Sequence, residues 1–259
     1  MRGRRDLSGT ARGRGTLRRA AYGIGILTGL WIGVSLIAGR NLVPLPWSAF
    51  ARFAVLLGDT LWKHSLASLA RVLASLAAST AAAFPLGILL GRNKRMTEVI
   101  SPALYLLYPV PKIALLPIIM LLFGVGNVSK VFVVFLVLFF QILFAVRDKA
   151  AGIPEQHFAS VRSLGGNRRD RLVHVIIPAV LPGLLTGLRI SSGTALAVLF
   201  FAETFFARYG LGKFILDSWM KVTYPDMFAG IIGLSLLGLL LFFLFDRLES
   251  RYCRWQRLQ

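Results

Sequence analysis

Ile153 to Arg189 reads IPEQHFASVRSLGGNRRDRLVHVIIPAVLPGLLTGLR. It lies between two long apolar runs, yet Arg162, Arg168, Arg169, Arg171 and Arg189 face only Glu155 and Asp170 within it. So many charges cannot sit in hydrocarbon, because burying each one there costs kilocalories. The stretch is therefore a helical loop at a membrane surface, and it divides the chain into spans before it and spans after it. Pro154 suits the first turn of a helix. Phe158, Val161 and Leu164 recur at helical spacing and make one apolar stripe. Gly165 and Gly166 break that helix. Asn167 is placed to cap a second one, from Arg168 to Val175, which Pro178 ends.

Working outward, the apolar runs are long enough to cross about 30 Å of hydrocarbon. Towards the N-terminus, span four covers 130–146 and span three 99–124, the latter interrupted by Pro109, Pro111 and Pro117. Span two covers 65–90 and is crowded with Ala and Ser, which suits close packing inside a bundle. Arg71, near its outer end, is expected to snorkel to the interface. Residues 40–62 form an outer connection with a surface-lying amphipathic helix, and residues 20–38 form the first span. Beyond the loop, span five covers 181–206 and span six 227–245. The fold class is thus all-α, a polytopic membrane protein of six transmembrane helices. The chain divides into a disordered basic tail (1–19), a first span with its outer connection (20–64), a core (65–248) holding the loop at 150–178, and a C-terminal tail (249–259).

Composition agrees. Hydrophobic residues make up 56% of the 259 positions and the mean hydropathy is +0.69, which excludes an ordinary soluble domain. The net charge of +19 sits between apolar runs rather than on one soluble face, which argues against nucleic-acid binding. By this reading twenty basic residues lie on one side and seven on the other, which puts both termini and the 153–178 loop in the cytoplasm. The single cysteine, Cys253, excludes an intrachain disulfide and a cysteine-based zinc site. There is no catalytic or metal-binding motif. Gly210-Leu211-Gly212-Lys213 has the wrong glycine spacing for a phosphate loop.

Two stretches carry a resemblance. The loop shows Ala159-Ser160-Val161, three residues, Gly165, nine residues, then Val175-Ile176-Ile177-Pro178. This resembles the "EAA" loop of the membrane subunits of ABC importers, although the glutamate is missing. Tyr108 to Lys130 carries Pro109, Pro111, Pro117, Phe123, Gly124 and Gly126, similar to the branch importing nitrate, taurine and aliphatic sulfonates. The resemblance implies a permease subunit in the inner (plasma) membrane that works as a homodimer with two cytosolic ATPase subunits and an extracytoplasmic solute-binding protein. ATP and Mg would be bound by the partner ATPase and no cofactor by this chain. It also implies a coupling helix between spans four and five, using Pro154, Phe158, Ala159, Ser160, Val161, Arg162, Leu164, Gly165, Arg168 and Pro178. The expected mechanism is alternating access. The expected cargo is a small anion, with a thiamine-precursor-like heterocycle as the alternative. A stand-alone secondary transporter, using Lys112 and Glu203 as an ion-coupled pair, is the other class.

The translocation path is expected to involve Pro109, Pro111, Lys112, Ser191, Ser192, Thr194 and Glu203. Lys112 lies about 20 Å along span three from Val99. It either lines the path and offsets a negative charge or bonds carbonyls freed by Pro109 and Pro111. Glu203 is open between pairing with Arg208, lining an outer gate and touching the binding protein. Ser191, Ser192, Gly193 and Thr194 either line the path or serve close packing.

Overall fold

The computed structural model describes residues 7–255, and all regular elements among these are helical. Helix α1 (Leu7–Ala38) extends back into the basic segment that was expected to be disordered, whose residues 1–6 lie outside the described range. Gly9, Gly13 and Gly15 are poor helix formers, so the extension rests on propagation from the apolar span rather than on propensity. Helix α2 (Pro46–Leu56) starts on a proline, which suits a first turn. It then continues through a π-helical turn (Leu57–Leu61) into α3 (Trp62–Arg92). The amphipathic connection is thus not a separate surface helix but the first part of one helical run.

The centre of the bundle is α3 against α6 (Asn127–Ala151) and α9 (Ile177–Thr204). The small residues of α3 explain the closeness. A Cβ added at Gly87 would lie 2.7 Å from Val146 Cγ1, and one at Gly91 2.7 Å from Ala150 Cβ. Ser75 Oγ and Ser79 Oγ donate across the interface to the carbonyls of Val131 and Phe135, each at 3.1 Å. Helix α11 (Tyr224–Tyr252) packs on α9, on α2 and on the short α10 (Leu211–Met220).

Span three is broken. Helix α4 (Lys94–Leu107) stops before Pro109 and Pro111. A 3₁₀ turn (Lys112–Leu115) leads into α5 (Leu116–Phe123), and the two halves meet at 76°. Two prolines remove two backbone donors within three residues, so a straight helix cannot pass. Among the described residues, five helical stretches are long and apolar enough to cross a membrane, and a sixth if this bent pair counts as one.

The quoted stretch folds as α7 (Glu155–Ser163), a turn, and α8 (Arg168–Arg171). A π-helical turn (Leu172–Ile176) then enters α9. Pro178 therefore does not end the second helix. It sits in the first turn of α9, where its missing N–H costs nothing, and the wider π-helical turn precedes it.

Candidate functional site

The end of the bundle that carries α7 is built by local sequence chemistry. Pro154 is the N-cap of α7, one position before the first turn. Gly165 ends the helix at φ +76°, a left-handed value that glycine adopts freely. At Gly166 the need is space: a Cβ there would collide with Val161 and lie 2.8 Å from its carbonyl oxygen. Asn167 caps α8, its Oδ1 accepting from the N–H of Arg169 (2.7 Å) and Asp170 (3.1 Å). Asp170 Oδ2 accepts from Asn167 N–H at 2.8 Å.

The apolar stripe of α7 does not act as one face. Phe158 is 3% exposed and packs into the bundle, with the Arg92 guanidinium 4.1 Å from its ring centroid. Val161 is half-buried against the Gly166 turn. Leu164 is 87% exposed and points away from the bundle. One residue of the stripe thus anchors α7 and another is left to face outward. Around Leu164, the residues Ala159, Ser160, Arg162, Gly165 and Arg168 are also exposed. Glu155 bonds Arg162 at 3.0 Å and Arg92 at 3.4 Å.

The opposite end holds a buried ionic cluster. Glu203, with 0% exposure, accepts from Arg71 Nη1 at 2.6 Å, Ser68 Oγ at 2.8 Å and Gly212 N–H at 2.9 Å. Arg71 also donates to Asn127 Oδ1 (2.7 and 2.9 Å) and to the Tyr209 carbonyl (2.7 Å). A Cβ on Gly210 would come within 2.6 Å of Glu203 Oε2, and one on Gly212 would meet the Phe200 carbonyl. Both glycines let the α9–α10 turn close over the carboxylate. So Arg71 does not snorkel, and Glu203 neither pairs with Arg208 nor lines an opening in this chain. Arg208 lies instead over the Tyr209 ring. A carboxylate buried in apolar surroundings needs a buried cation, and Arg71 lies within reach across the helix interface.

Between these ends, α9 leaves one side uncovered: Ile190, Gly193, Ala197 and Phe201, at helical spacing, with Phe205 exposed just past its end. The stripe runs into a cleft of about 740 Å³ between α5 and the end of α9, lined by Ile113, Pro117, Met120, Phe201, Phe205 and Phe206 among others. Every lining side chain is apolar. Phe206 has φ +50°, unusual for so bulky a residue, and is 76% exposed. Among the residues expected on a path, Ser191 and Ser192 are buried on the packed side of α9, Ser192 Oγ donating to the Arg189 carbonyl at 2.7 Å. Thr194 is half-buried, and Pro109 and Pro111 are exposed at the bend. Lys112 Nζ donates to the Leu107 carbonyl at 3.0 Å and to the Tyr108 carbonyl, 4.5 Å from the Phe140 ring centroid. Pro111 would have bonded the Leu107 carbonyl in an unbroken helix, so of the two readings of Lys112 the geometry matches the carbonyl-bonding one.

The family model for the binding-protein-dependent transport system inner membrane component matches residues 83–254. The chain belongs to this family. It is a permease subunit of an ABC transporter and a multi-pass membrane protein. It is 31% identical over 196 residues to the taurine transport system permease protein TauC of Escherichia coli K12, covering 76% of this chain and 71% of that one. It is 32% identical over 231 residues to the formylaminopyrimidine transport permease protein ThiX of Halalkalibacterium halodurans, covering 89% and 92%. It is 28% identical over 249 residues to the nitrate import permease protein NrtB of Leptolyngbya laminosa, covering 91% and 88%. An inward-facing structure of the MetNI methionine ABC transporter superposes with a TM-score of 0.63 at 18% identity, covering 74% of this chain and 97% of that one, a likeness of fold.

Several functional candidates of the permease escaped sequence reading. Ala197, Phe201 and, just past its end, Phe205 continue the open side of α9 from Gly193, and a 3.6-residue periodicity search of span five for the face least suited to packing is the signal for them. Ser68, Asn127 and His64 in the ionic cluster carry no such signal. His64 Nδ1 lies 2.8 Å from the Gly210 carbonyl, a contact across 146 residues.

Proposed function

We propose that this permease works as a homodimer with two ATPase subunits on the cytoplasmic side and a solute-binding protein on the other. In this reading α7 is the coupling helix and both termini are cytoplasmic, as the bias of basic residues requires. The observation that carries the reading is the α7 turn: Phe158 ties the helix to the bundle while Leu164 and a polar surface stay free. An exposed leucine ringed by arginines suits a groove on a soluble partner. Closure of the ATPase pair on ATP and Mg would bring the two coupling helices together and open the bundle outward, and hydrolysis would reset it.

The path runs along the open side of α9 and the cleft beside α5. Its carbon-lined walls suit the apolar body of a small organic solute, as in an aliphatic sulfonate, and taurine puts an ammonium and a sulfonate at the two ends of a shorter carbon frame. Nitrate fits less well, because Lys112 is engaged with carbonyls and Lys130 Nζ is bonded to the carbonyls of Val125 (2.8 Å) and Gly126 (3.2 Å). Three phenylalanines keep a heterocycle as the second reading. An ion-coupled pair of Lys112 and Glu203 has no support, since each is held by its own partners.

Coexpression with an ABC-type ATPase subunit from the same organism tests the reading. Wild type should copurify with the ATPase and support turnover. Gly165→Arg should lose the partner while remaining folded, because nothing lies within 4 Å of a Cβ there and the cost is conformational. A well-folded wild type that recruits no ATPase overturns it.

A further inference from the structure

A second cavity, of about 420 Å³, lies between the coupling helix and the bundle. Ile153, His157 and Ser160 wall it on the α7 side, His174 on the π-helical turn, Pro178 and Ala179 on α9, and Trp255 after α11. Its chemistry differs from that of the carbon-lined cleft. Ser160 Oγ is already spent, donating to the Gln156 carbonyl at 3.1 Å. His174 Nδ1 lies 3.1 Å from the Asp170 carbonyl, which can only accept, so the proton sits on Nδ1 and the other ring nitrogen is left for the cavity. His157 and the Trp255 indole have no hydrogen-bond partner among the described residues.

Basic residues outnumber acids around the cavity. Helix α7, α8 after it and the last turn of α11 with Trp255 carry Arg162, Arg168, Arg169, Arg171, Arg251 and Arg254 against Glu155, Asp170 and Glu249, the last bonded to Arg189 and Thr186. Glu155 is bonded to Arg92 and Arg162, and Asp170 closes the capping box. No acid lines the cavity. One turn before His174, Arg171 Nε is buried without a partner. Two imidazoles in a basic, acid-free cavity are poor ligands for a cation but can become donors to an anion by taking up a proton.

We propose that this cavity is a proton-linked site for a tetrahedral oxyanion: a sulfate, a phosphate or a sulfonate group. On binding, His157 and His174 take up protons and donate to the oxygens, with the Trp255 N–H as a further donor. The anion then bridges α7, the π-helical turn and the C-terminal segment, and stiffens the coupling helix against the bundle. The same group is found on a free cytoplasmic anion and on the headgroup of an anionic phospholipid. The cytoplasmic placement rests on the orientation given above, whereas the site itself does not.

The test is calorimetric titration of sodium sulfate into the purified permease–ATPase complex, its nucleotide sites filled with ADP, against sodium chloride at matched ionic strength. Sulfate should bind more tightly at pH 6 than at pH 8, with proton uptake seen as a heat that changes with the buffer. His157→Ala and His174→Ala should each weaken binding about tenfold. Ala179→Trp, which fills the cavity and removes no donor, should abolish it and covers the case in which a histidine variant misfolds. Sulfate binding equal to chloride, or unchanged in the double histidine variant and in Ala179→Trp, overturns the site. Nanodiscs separate the sources. If phosphatidylglycerol mixed equally with phosphatidylcholine suppresses the sulfate heat seen in phosphatidylcholine alone, the resident group is a lipid headgroup. If the heat persists in both, it is a free anion.

Discussion

Arg71 and Glu203 are 132 residues apart in sequence and 2.6 Å apart in the fold. Each is ordinary in its own segment, an arginine inside α3 and a glutamate at the end of α9, and nothing local says that they meet. Once buried, neither is replaceable alone. Arg71→Met or Glu203→Leu leaves the other group with fewer partners, and each should destabilise the permease by about 3–5 kcal/mol. Arg71→Met combined with Glu203→Leu should recover much of that loss. Thermal unfolding of the purified protein in detergent reads both outcomes, and additive losses in the double variant would show that the two side chains are not coupled. Lys112 makes a different prediction. Its role in the structure is donation to the Leu107 and Tyr108 carbonyls, so Lys112→Gln should keep uptake near wild type while Lys112→Met should not. If Gln and Met variants lose uptake of an anionic solute equally, the charge itself matters. The sequence left both readings of Lys112 open because the distance to a carbonyl depends on how the two prolines bend the chain.

At the scale of the element, the loop between α6 and α9 shows where local reading succeeds. The Asn167–Asp170 capping box, the Gly165 turn and the helix after Pro154 depend on neighbours a few residues apart, so they are legible in one dimension. The split of the α7 stripe is not, because Phe158 faces inward only where Arg92 and the bundle wait for it. Two variants separate the roles. Phe158→Ala should lower stability by about 3–5 kcal/mol through the cavity it leaves. Leu164→Asp, at a position 87% exposed, should leave unfolding within about 0.5 kcal/mol and yet weaken ATPase copurification. A Leu164→Asp protein that copurifies as wild type would remove this leucine from the docking surface. Pro178 gives a similar lesson in reverse. Sequence reading stops a helix there, whereas a π-helical turn followed by a fresh first turn lets α8 run on into α9.

At the scale of the whole molecule, the helices divide into a packed core and an added element. Helix α1 is held mainly at its C-terminal end, where Trp31 Nε1 donates to the Pro44 carbonyl at 3.0 Å and Ser35 Oγ to the Val43 carbonyl at 2.6 Å. Trp31 also stacks on Phe228, and most other apolar side chains of residues 21–38 are exposed, as expected of a helix in contact with lipid. Removal of residues 1–39 should therefore leave the remaining bundle folded, with an unchanged thermal midpoint and retained ATPase association. Loss of a monodisperse protein would show that α1 is part of the core. The sequence by itself determined the class of the protein. Apolar runs of membrane length, the charged loop between them and the proline break in span three follow from hydropathy, charge cost and missing donors, all of which act along the chain. The tertiary structure alone decided which charges are paired, which side of α9 stays open and where α7 is anchored. Those outcomes depend on contacts between helices distant in sequence, and helical periodicity shows which residues share a side but not which partner will cover it.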